Sequence, residues 1–209
     1  KNFEMAAHCQ HRALHTGQMA PSLLNNASNA IFDSGDVEKA LELRRLALKN
    51  EPNSPDHWST LAKYLRALGR HEEAHAEMTK AFRIFPDDVE CHIQNAFALL
   101  SMGDYPRAFE EFEWRWQGDE ISLPEFDFPR WSGEDLNGKT LLVTPEQGFG
   151  DTILMARFLK PVQDLGAKVI INVKPPLQRV FDGLEGIDGY ARVQADIANC
   201  DYWTPMMDL

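Results

Sequence analysis

The run of residues best suited to chemistry lies between Glu146 and Thr152, where acidic, glycine and hydroxyl residues follow one another closely. Gly148 and Gly150 would let the backbone approach a ligand, because they carry no β-carbon. Backbone N–H groups at the start of a following helix form a ready site for an anion. We therefore predict substrate or phosphate binding by Glu146, Gln147, Gly148, Gly150 and Thr152.

The same run is incomplete as a dinucleotide-binding fingerprint. Ile153 stands where the GxGxxG pattern has its third glycine, and no acidic residue follows the next predicted strand closely. A nucleotide-binding regulatory protein therefore remains an alternative that rests on this turn alone, and we predict no bound cofactor.

A histidine series near the start of the chain is the other candidate for chemistry. His8, His11 and His15 lie at helical spacing, and the last two have the i, i+4 spacing of metal sites. No Glu or Cys completes a tetrahedral set beyond Cys9, which would point to another face. We interpret the series as a hydrated helix face and predict no metal site.

The secondary-structure elements of the first half of the chain are predicted from an internal repeat. Glycine, alanine and proline recur in one register, with 34 residues between successive members of each series. Glycine favours the left-handed conformation that ends a helix, alanine lets two helices approach closely, and proline closes the second helix. The series are Gly35, Gly69 and Gly103; Ala40, Ala74 and Ala108; and Pro52 and Pro86.

This pattern resembles the tetratricopeptide (TPR) family, whose helix-turn-helix repeat has the same length. Relative to the family pattern, the first repeat departs at Ser28 and the third at Arg115. Residues 1–118 are predicted to hold the last helix of one repeat and three complete repeats, with further repeats before Lys1 in a longer protein. The middle repeat carries the family residues Trp58, Leu61, Ala62, Ala74, Ala81 and Pro86.

The first helix of each TPR repeat lines a concave groove, so the outward positions there are candidate contacts to a protein or peptide ligand. Asparagine amides on these helices could bind a partner backbone. The alternative is an ordinary solvated helix face. The predicted groove residues are Asn25, Asn29, Asp33, Ser59, Lys63, Arg66, Ile93 and Phe97.

The second half of the chain changes to an α/β pattern. Residues 119–138 are rich in Pro and Gly and are predicted to be a linker. Residues 139–209 alternate strands and helices, which predicts a partial Rossmann-like parallel sheet after the solenoid, an α + α/β protein overall. Strands are predicted at 139–144, 168–173, 190–193 and 201–204, and helices at 152–165, split or kinked by Pro161, and at 176–183.

Several short motifs of this half resemble bacterial TPR-containing glycosyltransferases with a GT-B region, similar to the heptosyltransferase-like and O-GlcNAc transferase-like enzymes. The likeness runs from about Ala108 to the end of the chain. The motifs are Glu113-Trp114-Arg115-Trp116, Trp131, Gly138-Lys139-Thr140-Leu141-Leu142, Glu146 through Thr152, Ala156-Arg157-Phe158, Pro175-Pro176-Leu177 and Asp201-Tyr202.

The resemblance implies a fold, a reaction and a catalytic residue. A GT-B enzyme transfers sugar from a nucleotide-sugar donor, and by motif Asp151 would be the base that deprotonates the acceptor, with Glu146 as an alternative base. Asp151 could instead simply cap its helix. The donor is held mostly by a C-terminal domain, so the resemblance implies a chain truncated within its N-terminal Rossmann-like domain and inactive by itself.

The charge, cysteine content and hydropathy of the chain limit the classes of partner and the location that we expect. A formal charge of −11 over 209 residues and the absence of a basic run disfavour nucleic acid as a partner. Three cysteines without metal-like spacing favour a reducing, cytoplasmic location. The sequence shows no membrane-length apolar run. The main hypothesis is thus a glycosyltransferase fragment whose repeats bind a protein acceptor. The alternative is a non-catalytic TPR scaffold with a Rossmann-like cap.

Overall fold

The computed structural model describes residues 21–119, 121–146, 148–191 and 194–209, which fall into two compact units. The first unit ends at Ser122 and the second is Leu123–Leu209. Among the described residues, no helix has the length and apolar character that crossing a bilayer requires.

The first unit is built from helix pairs that repeat along the chain. The first helices of successive pairs begin at Pro21, Pro55 and Val89, each 34 residues after the last, which confirms the TPR period. The helices are α1 (Pro21–Asp33), α2 (Val37–Asn50), α3 (Pro55–Ala67), α4 (His71–Ala81), α5 (Val89–Met102) and α6 (Tyr105–Phe112).

The turns inside the pairs confirm the role predicted for glycine. Gly35, Gly69 and Gly103 have φ values of +95°, +73° and +80°, in the left-handed region that a β-carbon disfavours. Gly103 is the C-cap of α5, where its N–H reaches the carbonyls of the last helical turn. A glycine at this position therefore lets the second helix of each pair fold back on the first.

The core of the first unit runs through successive pairs as one cluster. The alanines at the predicted close contacts, Ala40, Ala74 and Ala108, are completely buried. Trp58 donates its indole N–H to the Pro52 carbonyl at 2.9 Å. One repeat later, His92 Nε2 contacts the Pro86 carbonyl at 2.8 Å. Histidine thus replaces tryptophan in the same contact between repeats.

The third repeat ends differently from the first two. Arg115 stands where the earlier repeats have the buried alanines Ala47 and Ala81, and the chain there is a 3₁₀ helix, Glu113–Gln117. The Arg115 guanidinium donates to the Phe112 carbonyl at 3.0 Å and lies against the Phe112 and Trp116 rings. A side chain of this size leaves no room for the close helix packing that alanine permits.

The second unit contains a four-stranded parallel sheet in the order β3-β2-β1-β4. All three pairings are parallel, with Leu142 opposite both Ile170 and Trp203. The strands are β1 (Thr140–Thr144), β2 (Lys168–Ile171), β3 (Gly189–Tyr190) and β4 (Tyr202–Pro205), each overlapping its predicted position. The helices are α7 (Phe149–Met155), α8 (Leu159–Gln163), α9 (Pro175–Phe181) and α10 (Gln194–Ile197).

The helix predicted over 152–165 is divided in two. A 3₁₀ turn at Ala156–Phe158 separates α7 from α8, and Pro161 is the third residue of α8. Proline lacks an N–H and its ring clashes with the carbonyl four residues earlier, so the break just before α8 removes that conflict. The predicted split is confirmed, and it leaves α7 only two turns long.

Part of the stretch predicted to be a linker packs into the second unit. Leu136 is fully buried in the sheet core, and Phe126 and Phe128 pack beside Trp203. Trp131 N donates to the Trp203 carbonyl at 2.8 Å, so this segment covers the free edge of β4. Edge strands are commonly covered in this way, because their backbone groups would otherwise be open to other chains.

Candidate functional site

One face of the first unit carries an open pocket of about 400 Å³. Its walls come from the helices predicted to line a groove, α1, α3 and α5, and from the first residue of α4. Three predicted groove residues, Lys63, Arg66 and Phe97, line it. We call it the groove pocket. The other lining residues are Phe32, Ala67, His71, Gln94 and Ser101.

The two cations of the groove pocket lie against aromatic rings. Lys63 Nζ is 5.3 Å from the centroid of the Phe32 ring, and the Arg66 guanidinium is 4.7 Å from that of Phe97. Arg66 Nη1 also donates to Gln94 Oε1 at 2.5 Å. Within the described residues, neither cation forms an ion pair with a carboxylate. The pocket is therefore a local concentration of positive charge on an acidic chain.

Two buried nitrogen atoms in the groove pocket have no hydrogen-bond partner, Arg66 Nε and His71 Nδ1. Burial lowers the pKa of Arg66, and the nearby Glu90 carboxylate acts in the opposite direction. Glu90 forms no hydrogen bond to this arginine in the described structure, and its carboxylate accepts from Gln94 Nε2 at 2.8 Å. The free protein thus keeps a desolvated, incompletely compensated cation at this position.

Asn29, predicted as a ligand contact, has its amide oxygen occupied inside the protein. That oxygen accepts from Arg44 Nη2 at 2.8 Å and from the Tyr64 hydroxyl at 2.7 Å. Arg44 is completely buried and also contacts His57 Nδ1 at 3.0 Å. The Asn29 carbonyl therefore joins α1 to α2 and α3, and only its amino group is left for a ligand.

The remaining predicted groove residues lie outside the pocket lining. Ser59 is buried, and its hydroxyl donates to the Asp56 carbonyl at 3.2 Å. Ile93 is half-buried and Asp33 is exposed at the end of α1. Asn25 is half-buried, with an amide oxygen that has no hydrogen-bond partner. The structure thus brings three of the eight predicted residues together around the pocket.

The second candidate site is a crevice at the carboxyl ends of β1 and β4. From β1 the chain adds β2 and β3 on one side, and β4 then lies on the other side of β1. Ligands of open parallel sheets bind at such a switch point in the strand order. Glu146 follows β1, and its Oε1 accepts from the backbone N–H of Met207, just after β4, at 3.1 Å. We call this the β1/β4 crevice. The Glu146 carboxylate is already bound to the chain's own backbone.

The glycine-containing turn leads into α7 at the same edge. Gly148 is the N-cap, and the Thr152 hydroxyl donates to the Gly148 carbonyl at 3.0 Å. Gly150 and Asp151 lie in the first turn, so Asp151 is not the capping residue, and it has no hydrogen bond to another described residue. Gln147 lies outside the described residues. Near the helix start the crevice thus holds the carboxylates of Glu146 and Asp151, and Lys174 Nζ lies 5.7 Å from the ring centroid of Phe149, the first residue of α7.

No group of described histidine, cysteine and acidic residues could hold a metal ion. His8, His11 and His15 lie outside the described residues. The described cysteines, Cys91 and Cys200, are buried, and burial raises the pKa of both thiols. A protonated, buried thiol is a poor nucleophile and a poor metal ligand.

Several pocket residues were missed by sequence reasoning, and the repeat register could have found some of them. Phe32 occupies the repeat position of Arg66, and Ser101 that of Ala67, each 34 residues away. His71 belongs to the second helix of its pair, where no groove contact is expected. No sequence signal marks it.

No protein-family model matches the chain. A curated relative, Protein FlbA of Caulobacter vibrioides, is 25% identical in an alignment 207 positions long that includes 77% of this chain. The chain spans only 35% of the length of FlbA.

Two solved structures align with part of the chain at low sequence identity. A crystal structure of MamA protein aligns over 58% of this chain and 69% of its own, with 14% identity and a TM-score of 0.48. The first TPR of Spaghetti (RPAP3), bound to the HSP90 peptide SRMEEVD, aligns over 46% of this chain and 77% of its own, with 14% identity and a TM-score of 0.44.

Proposed function

We propose that the first unit is a protein-interaction module that holds a segment of a partner protein along α1, α3 and α5. The observation that carries this proposal is the groove pocket, where the helices of different repeats meet around two cations and two aromatic rings. Helical repeat proteins bind along such surfaces because stacked repeats place equivalent side chains in rows.

The pocket has the features of a peptide site rather than of a small-molecule site. It is open, and its walls come from three repeats, so a bound chain would contact each repeat in turn. Phe32 and Phe97 supply apolar surface, and Gln94 and Ser101 supply polar groups. Aromatic anchors surrounded by polar groups are typical of surfaces that bind other proteins.

Peptide selection with matched variants tests the proposal. Peptides enriched on the chain from a random display library are titrated against the wild type, Phe97→Ala and Glu72→Ala. Phe97→Ala should weaken binding about tenfold, as expected for an aromatic anchor. Glu72→Ala, an exposed position of α4 outside the pocket, should bind like the wild type. Equal affinity of all three proteins would place binding elsewhere and contradict the proposal.

Sugar transfer is the second candidate function, and the β1/β4 crevice is the observation that favours it. The parallel order β3-β2-β1-β4 is that of the first half of a Rossmann-like sheet, the fold that the glycosyltransferase resemblance implies. In this hypothesis Asp151 is the base, and Glu146, Gln147, Gly148, Gly150 and Thr152 surround the substrate. No relative named above is described as a glycosyltransferase.

Nucleoside diphosphate release from nucleotide sugars by the native protein tests this second candidate. Release that falls at least a hundredfold in Asp151→Asn, with groove binding unchanged, would support a catalytic base, which typically contributes that much. Absence of release from the native protein with every nucleotide sugar of a broad panel would contradict sugar transfer. Neither result would affect the proposed peptide binding.

A further inference from the structure

We infer that the groove pocket binds an acidic side chain of the partner segment, placed next to an apolar residue of that segment. This inference rests on the proposed peptide-binding function and names the chemistry that the peptide must carry. It assigns Arg66 as the principal anion-binding residue, with Lys63 and His71 beside it.

The first argument for anion binding is that two nitrogen atoms of the Arg66 guanidinium have no acceptor in the described structure. Nη1 is used by Gln94, whereas Nε is buried without an acceptor and Nη2 has no protein partner among the described residues. Nε and Nη2 form the side edge of the guanidinium, whose two parallel N–H groups match the two oxygens of a carboxylate. The side chain is thus held by Gln94 and Phe97, with Nη2 left to bind a ligand oxygen and Nε buried beside it without an acceptor.

A second unpaired donor or acceptor lies in the same pocket. His71 Nδ1 is buried and has no partner in the described structure. It comes from α4, whereas Arg66 comes from α3, so the two unpaired atoms belong to different helices that share one pocket.

The two aromatic rings that line the pocket pack against other rings of the first unit. Phe32 stacks on the buried Tyr64 with ring centroids 4.5 Å apart, and Phe97 lies 5.9 Å from the ring of Phe112. Apolar walls of this kind weaken screening by water and so strengthen a charge-assisted hydrogen bond. They also offer a surface for an apolar residue next to the acidic one.

Charge complementarity selects an acidic partner over a neutral one. The whole chain has a net charge of −11, yet this pocket has Lys63 and Arg66 without ion pairs in the described structure. Gln94, which accepts from Arg66, donates in turn to the Glu90 carboxylate. Among the described contacts, Glu90 is therefore hydrogen-bonded to Gln94 and to neither cation. A basic segment would be repelled by Lys63 and Arg66, and a purely apolar one would leave both cations desolvated.

A double-mutant cycle tests the inference. The peptide most enriched on the chain is synthesised with its acidic residues intact and with each one replaced in turn by its amide. Every peptide is titrated calorimetrically against the wild type, Arg66→Gln, Lys63→Ala and Arg83→Gln. Arg83 is an exposed arginine on the turn after α4, so Arg83→Gln is the matched control for loss of one positive charge.

We expect one amide replacement to weaken binding to the wild type about tenfold, as for loss of a charge-assisted hydrogen bond. Arg66→Gln should bind the acidic and amide peptides within about twofold of each other, and Arg83→Gln should behave as the wild type. Lys63→Ala should reduce the preference in part, and it serves as the second variant if the melting curve of Arg66→Gln shows misfolding.

The contrary outcomes separate the two proposals. If acidic and amide peptides bind the wild type equally, or if Arg66→Gln and Lys63→Ala both keep the full preference, the anion assignment is wrong while peptide binding stands. If no peptide is enriched, or if the enriched peptides bind Phe97→Ala as well as the wild type, the proposed function itself fails.

Discussion

The groove pocket and the β1/β4 crevice both gather polar side chains, but they differ in what those side chains contact. In the crevice, Glu146 accepts from the chain's own backbone and Thr152 donates to it. In the pocket, Arg66 Nε and His71 Nδ1 have no partner. All buried unpaired side-chain atoms of the described residues lie in the first unit.

This difference indicates where a ligand is expected. A buried polar atom without a partner costs roughly 1–3 kcal/mol in the free protein, and a bound group of the right chemistry removes that cost. A site whose polar atoms already bind one another must first break those bonds to admit a ligand. The pocket is therefore the better candidate for binding, and in the crevice the internal bonds of Glu146 and Thr152 contribute to stability.

The largest effect is expected at Asn29, which looks like a groove residue but contacts the protein interior. Asn29→Ala removes the acceptor of Arg44 Nη2 and of the Tyr64 hydroxyl, and we expect a loss of about 3 kcal/mol in unfolding free energy, as for other broken buried polar networks. Urea denaturation of Asn29→Ala and of the exposed neighbour Asn26→Ala measures it. Unchanged stability with lost peptide binding would make Asn29 a ligand contact instead.

Mutation in the β1/β4 crevice should change the stability of the protein and leave its peptide affinity unchanged. Glu146→Gln weakens a charged hydrogen bond to the Met207 backbone, so we expect a loss of about 1 kcal/mol in unfolding free energy. Peptide affinity should not change. The exposed Glu185→Gln is the control for charge alone. Loss of peptide binding in Glu146→Gln with normal stability would reverse the proposed division between the two sites.

Arg66 should show the opposite behaviour. In Arg66→Gln the lost contacts to Gln94 and Phe97 are offset by removal of a desolvated cation, so stability should change by no more than about 0.5 kcal/mol. Thermal unfolding beside the wild type measures this. A loss several times larger would show that Arg66 is a structural residue like Arg44.

The smallest effect concerns acid stability of the second unit. The backbone N–H of Thr140, and then Lys139, lower the pKa of Asp201. A carboxyl whose pKa is lower in the folded state contributes stability above its unfolded pKa, about 3.9, and loses it as pH falls through the folded value. Asp201→Asn should therefore flatten the stability curve below about pH 4. An unchanged curve between pH 2 and 4 would contradict this assignment.

Sequence reasoning predicted the repeats well because they depend on local rules. The glycine at each turn, the alanine at each close contact and the split at Pro161 all follow from backbone geometry or side-chain size. The strands of the second half were also predicted, since short aliphatic runs bounded by Gly and Pro are characteristic of a parallel sheet.

The pocket could be predicted only in part, because it depends on contacts between repeats. The register identified Lys63, Arg66 and Phe97, but it could not show that Arg44 takes the Asn29 carbonyl or that Ser59 turns inward. His71 reaches the pocket from a second helix. These are tertiary facts with no local sequence signal.

Chemical-shift mapping of an enriched peptide on the isotope-labelled chain tests the central claim most directly. The account predicts that the largest amide shifts fall on α3 and α5 around Lys63, Arg66 and Phe97, with residues 148–152 unchanged. Shifts concentrated at 148–152, with none at Arg66, would contradict it and make the β1/β4 crevice the binding site.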